Sequence, residues 1–108
     1  MRKKFKPLTT LEAIQVYGAL VSYCDYKPRD NALVDLVTFV RDVTESGGNY
    51  EWRFKGALGF GGKLHGNNDG WYVSCYPEDN NLMRDTIVKD TNAQLNNIID
   101  YGDSKAPF

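Results

Sequence analysis

Apolar residues in the first half of the chain recur every three or four positions, and from Tyr50 they recur every second position. The first helical segment opens at Thr9, where Thr9-x-x-Glu12 reads as a capping box that satisfies amide donors at a helix start. Ile14, Tyr17, Val21 and Cys24 follow at helical spacing, widened by Ala13, Val16 and Leu20, so this helix is expected to be largely buried and to end near Asp25. Pro28 then breaks the helical run, because the residue before a proline avoids helical geometry. Asp30 or Asn31 can cap a second helix that places Leu33, Leu36, Val37, Val40 and Val43 on one face, and the "SGG" at 46–48 closes it.

The period then changes to two. Tyr50, Trp52 and Phe54 fall on one side of a strand, with Glu51, Arg53 and Lys55 on the other. A second strand from about Leu58 to His65 turns Leu58, Phe60 and Leu64 inward and Lys63 and His65 outward. "GNNDG" at 66–70 is a turn, and a third strand over Trp71 to Tyr76 sends Trp71, Val73 and Cys75 inward and Tyr72, Ser74 and Tyr76 outward. A last helix carries Ile87, Thr91, Leu95 and Ile98, with Val88 and Ile99 broadening the stripe and Gly102 as its stop. The pattern predicts an α+β domain. A helical hairpin, a three-stranded antiparallel β-meander over 50–76 and a C-terminal helix are expected, with helices over 10–25, 31–45 and 82–101 packed on one sheet face and the other face left for water or a partner.

The 108 residues suit one domain, with a basic arm at 1–8 and a short tail at 102–108. Hydrophobic and charged fractions of 42% and 25% are those of a globular chain, and no apolar run approaches the roughly 18 residues of a spanning helix. Cys24 and Cys75 are far apart and belong to no C-x-x-C pair, so neither a disulfide framework nor a metal site is expected, and a reducing cytoplasm fits. The net charge of −1 is unevenly laid out: Arg2, Lys3, Lys4 and Lys6 make the arm basic, whereas 9–49 and 77–108 are acidic on balance.

"GALGFGGK" at 56–63 resembles a phosphate loop only in its glycines. Ala57 stands where a P-loop needs its first glycine, Leu64 where it needs Ser or Thr, and a strand follows where a helix is required. Strand parity also separates Cys75, on the inner face, from His65, on the outer one, which removes a Cys/His nucleophile pair. No acid/base dyad stands out, so the chain reads as a non-enzymatic binder without a cofactor. The outward sheet face gathers Arg53, Lys55, Lys63, His65, Tyr72 and Tyr76 around Ser74. Tyrosine with arginine suits a protein-binding hot spot, and aromatic rings among cations suit single-stranded nucleic acid or RNA. Acidic flanks favour the protein partner.

The run "SGGNYEWRF", followed by "GFGG" at 59–62, resembles the helix, GG, aromatic strand and second GG of the ArdB-type antirestriction proteins of phages and plasmids, over about a fifth of the chain. The resemblance implies a small protein of a mobile element that blocks a host enzyme in defence or nucleic-acid processing, within the host cytoplasm. It brings no functional residue to any position here.

Overall fold

A computed structural model describes residues 5–24, 26–28, 31–55, 61–75 and 82–99. Their order is α1 (Thr10–Tyr23), α2 (Ala32–Thr44), β1 (Tyr50–Lys55), β2 (Gly61–Asn67), β3 (Gly70–Cys75) and α3 (Leu82–Ile98). The strands form one antiparallel sheet in the order β1-β2-β3. This is the α+β arrangement expected, with the helices on one sheet face. The expected inner residues Leu58 and Phe60, the charges at 2–4, Asp30, Tyr76, Gly102 and the tail lie outside the described residues. So does the side chain of Cys75.

The local signals work as read. Thr9 caps α1 in a full capping box, its hydroxyl accepting from the Glu12 amide while the Glu12 carboxylate accepts from the Thr9 amide. Asn31 caps α2 by accepting from the amides of Leu33 and Val34. Between β2 and β3, Asn67 accepts from the Asp69 amide, and Gly70 takes φ 114°, a conformation that L side chains resist. The second strand begins three residues later than expected, yet its parity holds: Leu64 is buried and pairs with Trp52 and Val73.

Helix α1 packs against both α2 and α3, and α3 packs on β3. The buried arc of α1 is therefore Ala13, Val16, Tyr17, Ala19 and Leu20, continued by Cys24. Ile14 and Val21, expected inside, face outward. Helix α2 departs further, burying only Phe39 and Val43 fully and leaving Leu33, Val34 and Val37 exposed. A helix at the margin of the layer meets neighbours on a narrow arc. Phe39 takes that arc, touching Tyr17 and Trp52.

Two features fasten the sheet. At Gly66 a Cβ would meet the Trp71 ring at 2.5 Å, so glycine alone lets the indole cross β2 near its turn end. There Trp71 touches Tyr50 and Phe5 and donates its Nε1–H to the Lys6 carbonyl at 2.8 Å. With Leu8 also buried, the segment from Phe5 to Leu8 is held against the core. At the edge strand β3, Asn92 of α3 accepts from the Val73 amide at 2.7 Å and donates to the Val73 carbonyl at 3.0 Å, standing where another strand could add.

Gly66→Ala is expected to destabilise the fold by about 1–3 kcal/mol through overpacking against Trp71. Asn92→Ala should cost about 1–3 kcal/mol by stranding two backbone groups, and should raise aggregation through the opened edge. Asn97→Ala, exposed on the same helix, should stay within about 0.5 kcal/mol of the wild type. Urea melts and light scattering measure all three.

Candidate functional site

The strand registers lay the outward side chains in two rows: Glu51, His65 and Tyr72, and beside them Arg53, Lys63 and Ser74. Alternation puts all six on one face, so five of the six expected residues are accounted for as far as Lys55, which ends the face opposite Gly61. Tyr76 lies outside the described residues.

Contacts join Glu51, Lys63, His65, Tyr72 and Ser74 on this face. The His65 and Tyr72 rings stack with centroids 4.7 Å apart and planes at 12°, and the Asn67 amide donates to the Tyr72 hydroxyl at 3.3 Å. His65 Nε2 lies 2.7 Å from Ser74 Oγ. The Glu51 carboxylate reaches Lys63 Nζ at 3.5 Å and His65 Nδ1 at 3.8 Å. Burial pushes the His65 pKa below its ordinary 6.5, with Lys63 adding to the shift and Glu51 opposing it. The imidazole is thus neutral at pH 7, and its contact with Glu51 is not an ion pair.

This order of carboxylate, imidazole and hydroxyl is that of a nucleophilic serine relay. Two features weaken it as one: 3.8 Å is too long for the hydrogen bond that fixes the imidazole, and the same carboxylate serves Lys63. Glu51 was legible as a member of the face, since it alternates with Arg53 and Lys55. Its carboxylate offsets the nearest lysine, and Tyr72 already has one ring face covered by His65.

Two other surfaces are formed by residues distant in sequence. Beside the β1 edge, a cavity of about 660 Å³ has the aromatic side chains of Tyr26, Trp52 and Phe54 along its wall and the cations Lys27, Arg53 and Lys55 around it. Asp35 lines it too, its Oδ2 accepting from the Tyr17 hydroxyl at 2.9 Å and the Tyr26 hydroxyl at 2.8 Å. Burial and Asp35 together push the Tyr17 pKa up to about 12, so this hydroxyl remains a donor at all ordinary pH. Between α1 and α2 runs a groove of about 380 Å³ with Ile14, Leu36, Val37 and Val40 along it and Thr10, Arg41 and Glu45 also lining it.

Among the described residues, no cluster of three His, Cys, Asp or Glu side chains could hold a metal ion, and no helix is long and apolar enough to cross a membrane. Known protein families, characterised proteins and solved structures provide no match to this chain.

The His65 shift has a signed consequence for stability. Because its folded pKa is depressed, the unfolded chain takes up the proton first on acidification, and stability present above pH 6.5 is lost as pH falls through the folded value. His65→Gln should flatten the stability difference between pH 7.5 and 5. An NMR titration should place the His65 midpoint below 6.5 in the wild type and lower still in Glu51→Gln, which removes the opposing charge.

Proposed function

We propose that this chain is a non-enzymatic binding protein that occludes a host protein of the defence or nucleic-acid-processing machinery, and that a phage or mobile element encodes it for action in the host cytoplasm. The observation that carries this reading is the apolar surface on the helical side, where Leu33 is 68%, Val37 58% and Ile14 45% exposed. Helix α1 contains a single charged residue, Glu12, whose carboxylate is engaged in the cap. The groove is apolar along Ile14, Leu36, Val37 and Val40, with Arg41 and Glu45, of opposite charge, also lining it, which suits an apolar segment of a protein more than a phosphate backbone. The alternative, a single-strand or RNA-binding module on the sheet face, is less well supported because Glu51 offsets Lys63 and Tyr72 is already stacked.

The test is capture of a partner from bacterial lysate, followed by reconstitution with the purified partner. Binding at about 1 μM or tighter is expected, lost in Leu33→Glu and Val37→Glu and retained in Lys63→Glu. The two apolar replacements lie on the surface, so the melting temperature should barely move. Self-association through the same face, or oligonucleotide binding abolished by Lys63→Glu, would overturn the host-protein reading. Labelling of Ser74 by a fluorophosphonate together with turnover of an activated ester would overturn the non-enzymatic one.

A further inference from the structure

We propose that the cavity beside β1 is a nucleotide site, taking a guanine nucleotide either free or as the phosphorylated end of a strand. Its volume of about 660 Å³ lies within the range of about 300–1,000 Å³ usual for small-molecule sites. The lining combines three chemistries. The half-buried Trp52, backed by the buried Tyr26 ring, supplies aromatic surface against which a base can lie. Among the described lining residues, Lys27 and Lys55 bring positive charge beside the Asp35 carboxylate, with Arg53 on the same wall, which suits an anionic ligand.

Asp35 supplies the third. Two tyrosine hydroxyls fix the carboxylate through Oδ2, while Oδ1 takes neither hydroxyl and is left to accept from a ligand. A carboxylate cannot donate, so it selects a base edge that presents N–H groups. Guanine offers adjacent donors at N1 and the 2-amino group. Adenine places an acceptor, N1, beside its amino group, which a carboxylate repels. A long backbone contact from the Lys27 amide to the Lys55 carbonyl, 3.5 Å, sets the loop after α1 beside the end of β1. The site is separate from the apolar groove and independent of the protein-partner reading.

Calorimetry and the Trp52 indole N–H resonance test the site with GMP, IMP, guanosine, inorganic phosphate, phosphotyrosine and a 5′-phosphorylated guanine-ended oligonucleotide. GMP is expected to bind at about 10 μM or tighter, and guanosine and phosphate about tenfold or more weaker. Lys27→Glu with Lys55→Glu should weaken GMP about tenfold or more, while Lys63→Glu leaves it unchanged. IMP lacks the 2-amino group and should bind less well than GMP to the wild type, a preference that Asp35→Asn should abolish. Equal or tighter binding of the oligonucleotide end assigns the site to strands, and tighter GMP assigns it to the free nucleotide. Failure of every nucleotide to saturate at millimolar concentration, GMP binding indifferent to the double lysine variant, or phosphotyrosine binding as tightly as GMP would overturn the proposal.

Discussion

The packing of Trp71 over the bare backbone of Gly66 is the contact on which the rest of this small fold depends. A side chain at Gly66 would occupy the space of the indole, and the ring could not then reach Tyr50 across the central strand or Phe5 beyond it. The same indole holds the chain before α1 through the Lys6 carbonyl. One missing Cβ thus lets a single side chain tie the N-terminal segment and all three strands into one core, and in a domain of this size such a contact is a large share of the total stability.

The two edges of the sheet are treated differently. At β3, Asn92 occupies a backbone amide and carbonyl that would otherwise invite another strand. At β1, the connection from α1 reaches only the strand's end at Lys55, and a cavity opens alongside. The asymmetry follows from where the helices lie. Helix α3 packs on β3, whereas α2 approaches β1 mainly through Phe39 against Trp52. Space remains where the second helix does not cover the sheet.

The charged and apolar surfaces also reverse a simple expectation. On the outer sheet face, Lys63, His65 and Ser74 are engaged with one another and with Glu51. The helical side, which supplies most of the core, keeps several large apolar residues in solvent. Polar groups that pair with one another have less to offer a partner, while exposed apolar area gains free energy whenever it is covered.

The helix, helix, meander, helix order, the Thr9 cap, a cap for α2 at Asp30 or Asn31, and the inward and outward sides of the described strand residues were legible in the chain, because each depends on local rules: Thr9 with Glu12 and Asn31 satisfy amides within one turn, and alternation assigns Trp52 and Arg53 to opposite faces whatever packs on them. Even the membership of Glu51 in the outer face follows from parity. Which apolar face of a helix is covered does not follow from its period. Periodicity shows that Leu33 and Val37 share a stripe, but only the number and position of neighbouring elements decided that Phe39 would be buried and that stripe left in solvent. The cavity was beyond sequence reasoning for the same reason: Lys27, Asp35 and Arg53 belong to a loop, a helix and a strand, and their proximity is a property of how those elements pack.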